Sequence, residues 1–269
     1  MKKDCVLCDG ISNNFQNIKD CYTEIQSNVT LFETKSFKVI PDKFPIAPNH
    51  IIILPKEHIN TFAEFNNAQE QEIAYILNRL ENTTKSENFI MFEHGTSKTE
   101  ELHTPPHIKS IFHAHLHFIP NVKCKSDDIA QFFQSKGVQL LDKDGLHKDV
   151  YDFETNYCGN NSLVSFLRNS VIYEDASKTS VESYFYIKNS DNKHLFFPER
   201  LVNPQIPSQF LREALSEQCD TPEWNWKIKM TLDGRQKYAT RVINMINLFK
   251  QHEQNKILVM THFNSAHNK

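Results

Sequence analysis

The chain has 269 residues, more than the ~100–200 of one usual domain, so one domain with a substantial extension, or two domains, is expected. Charged residues make up 23% and the formal net charge is -3, which excludes a global basic field for holding nucleic acid; any polynucleotide contact must be local. Met1-Lys2-Lys3-Asp4-Cys5 does not lead into the apolar run of a secretory signal, and no stretch approaches ~18 apolar residues, so a soluble, cytoplasmic protein that engages no membrane is expected.

Six cysteines outside a secreted context argue for thiols or metal ligands rather than a disulfide framework. Cys5-Val6-Leu7-Cys8 alone has metal spacing; Cys21, Cys124, Cys158 and Cys219 stand singly and read as small buried hydrophobes. Further along, Leu31-Phe32-Glu33 and Phe37-Lys38-Val39-Ile40 form a hairpin pattern around Thr34-Lys35-Ser36. The β-branched run His50-Ile51-Ile52-Ile53-Leu54, bounded by Pro55, is too apolar for an exposed edge and is expected as a central strand. Over residues 61–81 the apolar positions Phe62, Phe65, Ile73, Ile76, Leu77 and Leu80 recur at helical spacing, predicting an amphipathic helix over the sheet. Residues 88–93 return as a strand, a polar loop with Pro105 and Pro106 follows, and residues 110–119 read as a strand ending at Pro120. Beyond that, helices are expected near residues 127–136, 208–218 and 233–253, with a hairpin from Tyr184-Phe185-Tyr186-Ile187 to His194-Leu195-Phe196-Phe197 closed by residues 189–192. The pattern gives an α+β protein: a mostly antiparallel sheet with a covering helix in residues 1–150, then a C-terminal α+β extension, 151–269, without a recognisable catalytic cluster.

The chemistry concentrates in His113-Ala114-His115-Leu116-His117. If extended, this segment turns three of the thirteen histidines to one face and the apolar residues to the other. One strand histidine is ordinarily a hydrogen-bonded structural residue; three at period two leave a metal site or a catalytic row. Cys5 and Cys8 make half of a tetrahedral zinc site, for which His58 and His113 are the candidate remaining ligands. Loop histidines His94, His103 and His107 read as solvated residues.

These residues resemble the histidine-triad family. The resemblance rests on His113-Ala114-His115-Leu116-His117-Phe118-Ile119, on residues 42–59 from Asp42 through the 51–54 strand to Pro55-Lys56-Glu57-His58-Ile59, on the Cys5/Cys8 pair, and on Glu93-His94-Gly95. It covers roughly residues 5–122 and implies a histidine-triad-like sheet domain acting on a nucleotide at its α-phosphate. By the resemblance His115 is the nucleophile of a covalent nucleotidyl-histidine intermediate and His117 contacts the phosphate and assists the leaving group. Ser110 falls at a phosphate-contacting position, Asp42 at a ribose contact, Lys109 at a nucleotide-site position where many members carry glutamine, and Glu93 at one where some carry asparagine. Zinc-containing members, and the similar galactose-1-phosphate uridylyltransferases, imply structural zinc on Cys5, Cys8, His58 and His113. The residues from Pro204 to Leu215, with Trp224 and Trp226, faintly resemble the tails of diadenosine tetraphosphate phosphorylases and of splicing-associated relatives. A nucleotide or dinucleoside polyphosphate is the implied substrate, and small members pair as homodimers. A hydrolase or nucleotidyl transferase is therefore expected; the alternatives are a nucleotide- or RNA-associated binding and assembly module without turnover, and a purely structural zinc module.

Overall fold

The computed structural model describes residues 5–103, 111–141, 147–148, 163–164, 167, 172–175, 178–181, 183–188, 194–198, 202–203, 209–219 and 232–266. In chain order the helices are α1 (Val6–Ser12), α2 (Gln16–Cys21), α3 (Asn67–Thr84), α4 (Lys98–His103), α5 (Ser126–Ser135), α6 (Phe210–Gln218) and α7 (Leu232–Ala266). The strands are β1 (Phe32–Glu33), β2 (Phe37–Pro41), β3 (Ile51–Pro55), β4 (Phe89–Gly95), β5 (Leu116–Pro120), β6 (Gln139–Leu141), β7 (His147–Lys148), β8 (Ile172–Asp175), β9 (Lys178–Val181), β10 (Tyr184–Lys188), β11 (His194–Pro198) and β12 (Val202–Asn203). A seven-stranded antiparallel sheet runs β1-β2-β3-β5-β4-β10-β11, with small satellites β12-β6-β7 and β8-β9.

The apolar run 51–54 takes the interior position its composition demands, paired to β2 on one side and β5 on the other. Its alternation sends Ile51 and Ile53 to one face and Ile52 and Leu54 to the other, and all five residues of β3 are buried. On the first face α3 seats Ile73, Ile76 and Leu80 against Val39, Ile53 and Leu116. Each such side chain contributes roughly 1.5–3 kcal/mol on burial. The helix expected over 61–81 divides: Phe62–Glu64 is a 3-10 turn, and α3 starts only after Asn66. Asn66 and Gln69 form a reciprocal capping box there, which satisfies two backbone donors and fixes the start.

The second face carries two separate helical covers. One packs α1, α2 and the first half of α7 over Ile40, Ile52 and Leu54; the other packs α5 and α6 over Ile90, Ile119, Phe185, Ile187 and Phe197. Because α7 also supplies Met245 and Phe249 to the first face, it contributes to cores on both sides of the sheet. Residues beyond 150 thus share a sheet and cores with those before it, through β10 on β4 and through α6 and α7. Hairpin strands β10 and β11 pair as expected, with Tyr184 opposite Pro198 and Lys188 opposite His194; their turn, 189–192, lies outside the described residues.

The strand expected over 110–119 is shorter: Leu116–Pro120 pairs, whereas 111–115 follow another path with a bend at His113. The segment expected as a polar loop holds α4. Among the described residues no helix is long and apolar enough to cross a membrane. Cys124 is buried and Cys21 and Cys219 are half-buried, all three free thiols; Cys158 lies outside the described residues.

Candidate functional site

Cys5 is the N-cap of α1, and its Sγ accepts a hydrogen bond from the backbone N–H of Cys8 at 3.5 Å, so one helical turn brings the two sulfurs together. His58, beyond β3, and His113, at the bend before β5, meet them. The Cys8 Sγ lies 3.4 Å from His58 Nδ1 and 3.5 Å from His113 Nδ1, and the Cys5 Sγ lies 3.6 Å from His113 Nδ1. A tetrahedron with Zn–S of about 2.3 Å and Zn–N of about 2.05 Å has sulfur–nitrogen edges of roughly 3.6 Å, which these three separations match. The outer nitrogens are also committed: His113 Nε2–H donates to Pro55 O at 2.9 Å, and His58 Nε2–H donates to Glu101 Oε1 at 3.3 Å. Both bonds leave Nδ1 bare and aimed inward, the tautomer a metal ligand needs. Burial holds His113 down to about 4, hence neutral at pH 7. Glu101, on α4, carried no sequence signal for this position.

The bend separates His113 from the other two members of the row, which corrects the expectation of three rings on one surface. His113 faces the cysteines, whereas His115 and His117 line a cavity of about 300 Å³ between the two helical covers. The His115 and His117 ring centroids are 5.1 Å apart. One wall is apolar, made by Phe15, Ile18, Ile40, Phe44 and Ile52.

The hydrogen bonds assign the tautomers around this cavity. His115 Nδ1–H donates to the carbonyl of His113 at 2.7 Å, which leaves its Nε2 lone pair unprotonated. Burial, and next the neighbouring His117, push His115 down to about 3, so the ring is neutral. His50, fully buried at the end of the 42–50 loop, accepts the Ile46 N–H on Nδ1 at 3.3 Å and therefore carries its proton on Nε2. That Nε2–H lies 2.9 Å from His117 Nδ1 and donates to it, so the His117 proton resides on Nε2. Phe92 stacks on the His117 ring at 4.2 Å and 4°, fixing its plane. The result is one bare nitrogen on His115 beside one N–H donor on His117.

Asp42 backs this pair. Its Oδ2 lies 3.5 Å from His50 Nε2 and 3.4 Å from His117 Nδ1, accepts from Arg212 Nη1 at 2.8 Å, and its Oδ1 accepts from Phe44 N at 2.6 Å. Burial alone would raise the Asp42 carboxyl, but the Arg212 guanidinium, with His50 and His117, outweighs it and holds the group well below its ordinary value. The three side chains Asp42, His50 and His117 are close enough to hold a metal, yet Arg212 already supplies the positive charge, so they form an internal network rather than a cation site.

The 42–50 loop is gripped from three helices. Tyr22 O–H donates to Lys43 O at 2.6 Å, Arg241 Nη1 donates to Pro45 O at 2.6 Å, and Arg212 Nη2 donates to Phe44 O. Arg212 belongs to the C-terminal region in which the sequence exposes no catalytic cluster, as does Gln209, which also lines the cavity.

Of the other sequence candidates, Lys109, Ser110 and His107 lie outside the described residues. Glu93 does not reach the cavity, because strand alternation turns Phe92, His94 and Thr96 towards it and Glu93 away. Fully buried, Glu93 accepts the Phe62 N–H at 3.1 Å and the Tyr184 O–H at 2.5 Å, and burial pushes it up to about 8. His94 is no solvated loop residue; it lines the cavity and stacks on Phe185 at 4.2 Å.

Residues 15–128 match the family model described as "Scavenger mRNA decapping enzyme C-term binding". No curated protein matches the chain. Among solved structures, a HIT family hydrolase from Clostridium thermocellum is 22% identical, covering 46% of this chain and 96% of its own, with a TM-score of 0.33. A hypothetical histidine triad nucleotide-binding protein from Sulfolobus tokodaii is 21% identical, covering 43% of this chain and 68% of its own, with a TM-score of 0.30. A histidine triad protein from Clostridium difficile is 18% identical, covering 47% of this chain and 97% of its own, with a TM-score of 0.31. Residues 15–128, which carry Asp42, His50 and the His113, His115 and His117 row, are thus similar to the family of that model and to solved proteins named for a histidine triad.

Proposed function

We propose that the chain is a nucleotide hydrolase or nucleotidyl transferase that works at an α-phosphate through a covalent intermediate on His115. The observation that carries this reading is the complementary tautomer pair: a bare, neutral His115 Nε2 next to a His117 Nε2–H, in one cavity. The His115 Nε2 lone pair attacks the α-phosphorus and forms a P–N bond. The bond from phosphorus to the leaving group breaks, and the departing atom is stabilised by a hydrogen bond from His117 Nε2–H and takes its proton from water. Water then attacks phosphorus and releases its proton to solvent while the P–N electrons return to His115 Nε2; in a transferase a phosphate or hydroxyl of a second substrate replaces the water. His50 acts through His117, donating to its Nδ1 and keeping its reactive nitrogen outward, with the Asp42 carboxylate beside both rings.

The apolar wall of Phe15, Ile18, Ile40, Phe44 and Ile52 suits a base, and the cavity volume of about 300 Å³ falls at the small end for organic ligands. Cys5, Cys8, His58 and His113 would hold a structural zinc ion, whose contribution is to tie α1 to the segment leading into β5. The substrate class is a mononucleotide derivative or dinucleoside polyphosphate, and the decapping name of the matching family model adds a cap dinucleotide to the candidates. The test is turnover of adenosine and guanosine phosphoramidates, dinucleoside polyphosphates and a cap dinucleotide, with trapping of an acid-labile phosphohistidine. His115→Ala is expected to abolish both turnover and trapping while keeping the melting temperature; wild-type turnover in that variant eliminates the proposed nucleophile.

A further inference from the structure

Gln209 occupies the N-cap position of α6, where a side chain ordinarily accepts a first-turn N–H, yet it makes no cap bond. It is 6% exposed, and both its Nε2 and its Oε1 are buried without a hydrogen-bond partner among the described residues. It also lines the cavity, one helical turn before Arg212. A buried amide with both ends unsatisfied costs folding free energy, and such groups are scarce in native proteins. Thr96 repeats the feature just after β4: it is 3% exposed, its Oγ1 is buried without a partner among the described residues, and it lines the same cavity. Two unsatisfied polar groups in one concave wall are explained when the occupant of the cavity completes them.

We propose that Gln209 determines ligand specificity by hydrogen-bonding a group that presents a donor and an acceptor side by side. A carboxamide offers the complementary pair, and this chemistry is shared by the edge of a purine and by a ribose cis-diol. Asp42 is poorly placed to take the whole of that role, because its two oxygens already accept Phe44 N–H and the Arg212 guanidinium. Gln209 adds the pairing without adding negative charge beside a phosphate. The inference rests on the reading of this cavity as a nucleotide site.

Calorimetric titration of adenosine 5′-monophosphate, its 2′-deoxy form, guanosine 5′-monophosphate and ribose 5-phosphate into the wild-type protein and Gln209→Leu tests it, with melting temperatures measured alongside. Replacing an unsatisfied buried amide by an apolar side chain of similar size should keep or raise the melting temperature. The same change should weaken the ribonucleotide it recognises about tenfold, the loss of one net hydrogen-bond pair. A sugar contact makes ribose 5-phosphate weaken too and erases the discrimination against the 2′-deoxy form. A base contact leaves ribose 5-phosphate unchanged and shifts the adenine to guanine preference. Unchanged affinity for all four ligands, or affinity and melting temperature falling together, overturns the role of Gln209. If the wild-type protein itself binds none of the four, the nucleotide reading fails and this inference fails with it.

Discussion

Replacing Arg212 by methionine keeps most of the apolar stem and removes the charge that faces Asp42. Arg212 and Asp42 are 7% and 4% exposed, and their 2.8 Å contact joins α6 to the end of β2 across 170 positions of sequence. Removing one partner of a buried pair leaves the other charge uncompensated, which costs about 3–5 kcal/mol. His50 and His117 still lie within 3.5 Å of Asp42, so the lower end of that range is expected. Against a total stability of about 5–15 kcal/mol this is a large fraction. Urea unfolding followed by circular dichroism at pH 7 measures it, and a double-mutant cycle with Asp42→Asn isolates the pair, with an expected coupling of about 2 kcal/mol. The sign with pH follows from Asp42. Its folded value is depressed, so the stability it contributes is present above the ordinary carboxylate value of 3.8 and is lost as pH falls through the depressed one. The gap between wild type and Arg212→Met should therefore be widest near neutrality and narrow below that value. A loss under about 1 kcal/mol, or a coupling near zero, refutes the pair as the link between α6 and the site.

Glu93 gives the opposite slope. Because burial raises it to about 8, its contribution is complete below its ordinary value of 4.5 and lost as pH rises through about 8, and Glu93→Gln removes that dependence. Melting temperatures of the two proteins between pH 5 and pH 8.5, read as a difference, should drift in favour of the variant; parallel curves argue against a buried neutral carboxyl. For the sulfur and nitrogen cluster, elemental analysis should find about one zinc per chain in wild type and nearly none in Cys8→Ser, with a lower melting temperature in the variant. A wild-type protein that stays metal-free after expression in zinc-replete medium removes the proposed ion.

The fold was legible where side-chain period and element type agree. Ile51-Ile52-Ile53-Leu54 could only be an interior strand, and Ile73, Ile76 and Leu80 could only be one helical face. A helix expected from residue 61 misses the start of α3, because the apolar Phe62 and Phe65 mask the capping spacing of Asn66 and Gln69 that sets it. The histidine row was half legible. Period two holds only inside a strand, and pairing begins at Leu116, so His113 is free to turn towards the cysteines. Glu93 and His94 exchange the standing expected of them, because parity along β4 fixes their faces; counting from Phe92 finds this without coordinates. Nothing local marks Gln209 and Arg212. Their meeting with the cavity depends on how α6 lies across the sheet, and a contact between residues 42 and 212 leaves no periodic trace.

The three-sided grip on residues 42–50 has a temporal side. Two of its anchors, Arg212 and Arg241, are synthesised 168 and 196 positions after the loop residues they hold. The cover over α1 and α2 likewise awaits Tyr238 and Val242. During translation the histidines emerge early but their surroundings are finished only when α7 leaves the ribosome, so a nascent or C-terminally clipped chain carries His115 without its enclosure.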